Sequence, residues 1–208
     1  MPEPFEYDPS ELQNISAAEQ ARERPGLYLG TTDFSESANC LARETFCLAI
    51  DEILNNNCSE LSVGTVDEWF HLSHNGNCPD AKEVQRDGKT TFESILTTRW
   101  VCRKHADAEY VGSNICRLSI PTVVYLSKQF EIEGFDGQNH YFLRFENGES
   151  ELGLQRLGES DNTGISLRFT PNKDVLGHTE FNIEELRLWF EKLPLPHDSL
   201  NVKWEIGG

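Results

Sequence analysis

The chain is poor in basic residues, with 18 Lys and Arg against 35 Asp and Glu and a formal charge of -17. A field of that sign repels the phosphate backbone of nucleic acids and anionic membrane surfaces. The one basic cluster, residues 99–105, fits the solvated end of a helix, where the helix dipole favours cations. We therefore expect this chain not to bind nucleic acid directly.

Long apolar runs are also absent. No stretch reaches the roughly 18 apolar residues of a membrane-spanning helix, and the N-terminus lacks a basic region followed by an apolar one. We therefore expect a soluble, cytoplasmic protein that makes no membrane contact.

None of the six cysteines forms a Cys-x-x-Cys pair, which argues against a zinc site and leaves no metal site to expect. Cys40 and Cys47 are seven residues apart on one predicted helix and are interpreted as buried thiols. A reducing compartment is favoured over a disulfide framework. The six are Cys40, Cys47, Cys58, Cys78, Cys102 and Cys116.

Apolar content is sufficient for a packed core, since 38% of the residues are hydrophobic and 12 are Phe. Residues 1–15 are acidic and rich in proline, and they are predicted to form an irregular N-terminal arm. Residues 16–208 are predicted to form a single domain.

Several segments have the signals of helices. Their predicted starts lie at or just after Ser16, Leu41, Thr90, Pro121 and Asn182. The segment 41–54 is predicted to be one helix, with Glu44, Leu48 and Asp51 on a common stripe. Residues 24–30 are predicted to form a turn and a short extended piece.

Strand patterns dominate the rest of the chain. Residues 61–63 and 69–72 are predicted to pair, and period-two alternation from Lys128 to Phe169 predicts an antiparallel meander that includes Leu152 and Leu154. A last strand is predicted at residues 202–206. Early helices, a long antiparallel region, then one helix and one strand predict an α+β sandwich.

Four segments, in the same order and spacing, resemble the N-terminal ATPase domain of the type II topoisomerase B subunits, a member of the GHKL group. They are residues 24–30 (RPGLYLG), 44–54 (ETFCLAIDEIL), 162–171 (NTGISLRFTP) and 179–181 (TEF). The resemblance implies the Bergerat-type fold, a two-layer sandwich with helices on one face of a mixed, mostly antiparallel sheet. It also implies a pocket for ATP with magnesium.

The resemblance assigns Glu44 to the general base that activates the attacking water. Leu48 stands where the family has its magnesium-binding Asn, and a hydrocarbon offers magnesium no oxygen ligand. Glu44 is therefore either a residual base or a structural carboxylate held by a loop amide or by His74. Asp51 and Glu52 are the same residue types as in the family. They fit the solvated end of a helix, paired with Arg24, as well as they fit a functional role.

The loop that binds the adenine amino group with an Asp in the family corresponds to residues 74–79, where His74 and Asn75 replace the acids. Gly76 and Pro79 match the family's loop and can keep its backbone shape. His74 is either a pocket residue or an exposed loop residue, and Asn75 with Gly76 is either a base-reading loop or an ordinary turn.

The family's glycine-rich lid cradles the phosphates with backbone amides, and its position in this chain, residues 113–119, contains no glycine. Gly112 alone remains nearby. Thr163 and Gly164 match the family, whereas Ile165 replaces a Thr on the adenine side of the pocket.

Two functions follow from this pattern. The first is a pseudoenzyme that has no cofactor and serves as a protein-interaction or regulatory module for an unknown protein partner. The alternative is a divergent protein that binds ATP or another nucleotide weakly in the remnant pocket. A third, minor hypothesis is that the acidic surface mimics nucleic acid toward a topoisomerase. Homodimerisation through residues 1–15 is left open.

Overall fold

The computed structural model describes residues 15–98 and 118–206. Seven strands form one mixed sheet in the order β5-β4-β3-β6-β2-β1-β7. Only the β1–β7 pair is parallel among these neighbours. The strands are β1 (Glu60–Val66), β2 (Trp69–His74), β3 (Ser127–Asp136), β4 (Asn139–Glu146), β5 (Gln155–Glu159), β6 (Thr163–Pro171) and β7 (Asn201–Ile206).

The helices of the described residues join this sheet to give the predicted α+β fold. Capping boxes at Ser16 and Thr90 open α1 and α5, as their sequence patterns predicted. The helices are α1 (Ala17–Glu23), α2 (Pro25–Leu29), α3 (Ser37–Thr45), α4 (Cys47–Leu54), α5 (Thr91–Thr97), α6 (Ile120–Leu126), α7 (Lys173–Leu176) and α8 (Ile183–Glu191).

Burial alternates along the central strands. On β2, Phe70 and Leu72 are fully buried, whereas His71 and Ser73 between them are only half-buried. Because side chains on a strand point alternately to the two faces, the core lies on one side of the sheet. The other face carries polar residues and is open.

The segment 41–54 differs from the single helix that the sequence predicted. The first helix, α3, starts earlier, at Ser37, and ends at Thr45. A second helix, α4, begins at Cys47, so the segment is interrupted at Phe46. The Phe46 amide donates to the carbonyls of Arg43 and Glu44, a tightened last turn. Phe46 is fully buried among Trp189, Phe190 and Trp204, so packing fixes this position.

Three other predictions of local structure are wrong. Pro25 opens the short helix α2, because proline suits the first turn of a helix, and residues 24–30 therefore do not form an extended piece. Leu152 and Leu154 precede β5 and lie outside any strand. β6 pairs with β3 and β2, so the antiparallel strands do not form a simple meander.

The interpretation of Cys47 as a free buried thiol is also wrong, since Cys47 is disulfide-bonded. Cys40, Cys58 and Cys78 are free. Among the described residues, no helix is long and apolar enough to span a bilayer. Gly112, the basic cluster at 99–105 and residues 1–14 of the predicted arm lie outside the described residues.

Candidate functional site

Glu44 lies near the end of α3 with 2% of its surface exposed. Its carboxylate accepts hydrogen bonds from two consecutive backbone amides, with Leu118 N at 3.0 Å from Oε2 and Ser119 N at 2.9 Å from Oε1. These charge-assisted bonds offset the desolvation of a buried carboxylate. Both oxygens therefore have backbone partners in the segment that leads into α6.

Ser119, the second of these amide donors, has φ 78 and ψ 143. A non-glycine residue rarely adopts a positive φ, because its Cβ is crowded by the backbone. Ser119 makes no side-chain cap to α6. Its amide instead reaches the Glu44 carboxylate, and the strained backbone at this point is held by contacts from outside α6.

Leu48 lies one turn beyond Glu44, on α4, and packs against the core. Magnesium prefers oxygen ligands in near-octahedral geometry, which the Leu48 side chain does not offer. Asp51 is half-buried on the same helix. No group of three or more His, Cys, Asp or Glu side chains in the described ranges could hold a metal ion. Leu48 therefore supplies no ligand at the magnesium position that the family resemblance implies.

Glu52 is 3% exposed, so its interpretation as part of a solvated helix end is wrong. Its Oε2 accepts hydrogen bonds from the Asn77 backbone amide at 3.0 Å, the Asn77 side chain at 2.9 Å and the Asn57 side chain at 3.2 Å. Gly76 packs so closely that an added Cβ would lie 2.7 Å from the Glu52 Cβ. The loop at 75–79 is thus attached to α4, and Pro79 is buried.

His74 ends β2 and is 6% exposed, so it is not an exposed loop residue. Its Nδ1 accepts a hydrogen bond from the Gly76 amide at 3.1 Å. Accepting at Nδ1 requires that this nitrogen carry no proton, which assigns the neutral ring with its proton on Nε2.

Asn75 fastens the loop to the start of β1. Its Oδ1 accepts from the amides of Ser59 and Glu60, both at 3.0 Å, and its Nδ2 donates to the Ser59 hydroxyl at 3.0 Å. Both ends of the amide group are committed within the protein.

The start of β6 closes over the same loop. The Thr163 hydroxyl donates to the Asn75 carbonyl at 2.9 Å, and Ile165 pairs with His74 across the strands and is buried. Gly164 has φ 106, and a Cβ there would lie 1.8 Å from the His74 carbonyl oxygen. Only glycine fits between the two strands at this point.

A groove of about 640 Å³ lies beside these residues and is bordered by His74, Asn75, Thr163 and Ile165. Its wall also includes Ser62, Ser73 and Ser166, which lie in register on β1, β2 and β6. Glu44 and Leu48 are not among the residues that line it. The structure therefore brings the loop and strand residues of the predicted site together, and places Glu44 and Leu48 apart from this groove.

Asp136 ends β3 directly opposite Thr163. Burial raises the pKa of its carboxyl, but Lys82 at 2.9 Å and the amides of Asn139 and Gln138 outweigh this, and the pKa is held well below its usual range. Burial and the neighbouring Asp136 raise the pKa of Tyr141, whose hydroxyl donates to Asp136 at 3.2 Å. This cluster fixes the β3–β4 turn beside the groove.

Sequence reasoning missed the structural role of Glu52 and Asn77. For Glu44 it gave a loop amide as one possible partner, without identifying Leu118 and Ser119 as the donors. Glu44 and Glu52 lie on different helices, α3 and α4, so their spacing along one helix is not a usable signal. Backbone amides leave no mark in the sequence, and the donors at Leu118 and Ser119 were therefore not predictable.

The chain is similar to known proteins along most of its length. The B subunit of DNA gyrase from Myxococcus xanthus is 26% identical over 204 residues, which are 97% of this chain and 25% of that protein. The B subunit of DNA topoisomerase 4 from Staphylococcus aureus is 29% identical over 184 residues, which are 86% of this chain and 28% of that protein. The chain thus spans about a quarter of the length of these relatives. No protein-family model matches it.

Among solved structures, the 43K ATPase domain of Thermus thermophilus gyrase B, determined in complex with an aminocoumarin, matches with a TM-score of 0.75. The match covers 92% of this chain and 49% of that chain, at 24% sequence identity. The described sheet and helices therefore have the fold of that ATPase domain.

Proposed function

We propose that this chain, which is related to the gyrase B and topoisomerase IV B subunits and has the GHKL ATPase-domain fold, works without productive Mg-ATP hydrolysis. In this proposal it acts as a cytoplasmic protein-interaction or regulatory module with a protein partner.

The observation that carries the proposal is the state of Glu44. A general base must lie within hydrogen-bond reach of the water that it activates, and a carboxylate that is buried and already bound to backbone amides offers such a water little access. Both Glu44 oxygens accept backbone amides, and the side chain is 2% exposed. This arrangement supports a structural carboxylate at the position of the family's base.

The other replacements support the same conclusion. Leu48 provides no oxygen for magnesium, and a family member needs the metal to neutralise charge on the transferred phosphoryl group. His74 offers a neutral ring where the family has a carboxylate, and its Nδ1 is engaged by Gly76. Because the magnesium ligand, the adenine-binding acid and the glycine-rich lid are all replaced, we do not expect restoring one of them to restore catalysis.

Phosphate release from ATP at saturating magnesium tests the proposal. We expect wild-type protein and the Glu44→Gln variant to release phosphate at the same background rate. A wild-type rate that exceeds the Glu44→Gln rate by about a hundredfold, as loss of a general base produces, contradicts the proposal.

The second candidate function is weak binding of a nucleotide or another small molecule through the groove beside His74, Asn75 and Thr163. It is favoured by the volume of that groove, about 640 Å³, which is in the range of small-molecule sites. A thermal-shift screen of purines and nucleotides at millimolar concentration tests it, because any ligand that binds only the folded state raises Tm. No shift with any compound rules it out.

A further inference from the structure

Two buried carboxylates project from the consecutive helices α3 and α4, and each one binds the backbone of a different segment. Glu44 holds Leu118 and Ser119, and Glu52 holds Asn77. The two glutamates are 2% and 3% exposed. Buried carboxylates of this kind are retained only where partners compensate for lost hydration.

The two amides at Leu118 and Ser119 form a concave pair of donors immediately before α6. Successive amides in a turn are a favourable site for an anion, and here that anion is the Glu44 side chain. Ser119 remains at φ 78 although this conformation is unfavourable for serine. The hydrogen bond to Glu44 contributes to holding it there.

Glu52 binds the loop segment 76–77 in the same way. Its Oε2 accepts both the backbone and the side-chain nitrogen of Asn77, at 3.0 and 2.9 Å. The loop lies so close to α4 that Gly76 has no room for a Cβ beside Glu52. The backbone at 76–77 is thus fixed to α4 by both sterics and charge.

We propose that Glu44 and Glu52 form a carboxylate clamp that holds the segments 76–77 and 118–119 against α3 and α4. The clamp occupies the 118–119 amides with the Glu44 carboxylate, so that an anionic ligand would have to compete with Glu44 for them. It does not depend on the proposed function, because it rests on the hydrogen bonds of Glu44 and Glu52 alone.

Amide hydrogen exchange of the ligand-free protein, measured by NMR, tests the clamp. We expect the amides of Asn77, Leu118 and Ser119 to exchange on the order of 100-fold more slowly than in an unstructured peptide. A scalar coupling across the hydrogen bond, from the Leu118 amide nitrogen to the Glu44 carboxylate carbon, is expected in the wild-type protein. Exchange at the unstructured rate, without that coupling, overturns the proposal.

Variants then separate the two halves of the clamp. Glu44→Gln is expected to speed exchange about tenfold or more at Leu118 and Ser119 and to leave Asn77 unchanged, and Glu52→Gln is expected to do the reverse. Glu23→Gln, at the exposed end of α1, is the control and should change none of them. An equal rise at all three amides in both variants overturns the proposal, because it indicates a global loss of stability.

If either Gln variant fails to fold, the exchange rates and coupling of the wild-type protein still decide the matter. The result is also separable from the proposed function. Tight Mg-ATP binding together with protected amides in the ligand-free protein contradicts the proposed function and leaves the clamp standing. Unprotected amides in a protein that does not bind ATP contradict the clamp and leave the proposed function standing.

Discussion

Gly164→Ala is predicted to be strongly destabilising, because β6 and β2 meet at this residue without space for a side chain. An added Cβ would lie 1.8 Å from the His74 carbonyl oxygen and 3.0 Å from the Asn75 Cα. Both are backbone atoms, so relief requires that the two strands separate. The backbone at φ 106 is also unfavourable for alanine.

The magnitude follows from two contributions. Holding alanine at a positive φ of this kind costs on the order of 1–3 kcal/mol. Separating the strands also weakens the hydrogen bond from Thr163 to the Asn75 carbonyl, worth about 1 kcal/mol. We expect a total loss of about 3 kcal/mol in the free energy of unfolding, which lowers Tm by about 6–12 °C for a chain of this size.

Urea unfolding of the wild-type and variant proteins measures this difference. Gly158→Ala is the matched control, because Gly158 lies on β5 with no atom within 4 Å of an added Cβ and no positive φ. It should change stability by less than about 0.5 kcal/mol. If Gly164→Ala is as stable as Gly158→Ala, the tight junction of β6 with the His74 loop is refuted.

Three further predictions concern charge, capping and the metal position. The pKa of Asp136 is lower in the folded protein, so its contribution to stability is complete above about pH 4, its unfolded range, and is lost as the pH falls toward its folded value. Acid titration of urea midpoints should therefore be flatter for Asp136→Asn, and an equally steep curve contradicts this. Thr90→Ala removes the capping box of α5 and should reduce the free energy of unfolding by about 1 kcal/mol, as measured by urea titration; an unchanged midpoint contradicts the role of the cap. Leu48→Asn supplies an amide oxygen at the family's magnesium position but should not produce phosphate release above background, because Glu44 stays engaged; a magnesium-dependent turnover in this variant contradicts that reasoning.

Local signals in the sequence predicted much of the fold. The capping boxes at Ser16 and Thr90, the cap at Asn182 and the proline at the start of α6 act within a few residues, so the sequence determines them directly. Pairing of β6 with β3 depends on contacts between distant residues. Alternation alone gives no information on which strand is the neighbour, and the simple meander was therefore wrong.

The site was less predictable, for a related physical reason. Glu44 was identified through the family resemblance, but its partners are backbone amides about 75 residues further along the chain, at Leu118 and Ser119. Glu52 was interpreted as part of a solvated helix end. Its burial comes from the loop at 75–79, which folds over it and leaves no signal in the sequence around Glu52. The break at Phe46 likewise follows from aromatic packing against α8 and β7, which no local pattern reports.

Isothermal titration of the chain with ATP, in the presence and absence of magnesium, measures whether the site around Glu44 and Leu48 binds Mg-ATP. Magnesium usually binds through one or two protein carboxylates together with substrate phosphates, and Leu48 supplies no oxygen at the family's magnesium position. We predict no measurable heat of binding at micromolar protein and ATP, and no difference on adding magnesium. A micromolar Kd that is lost when magnesium is chelated contradicts the account.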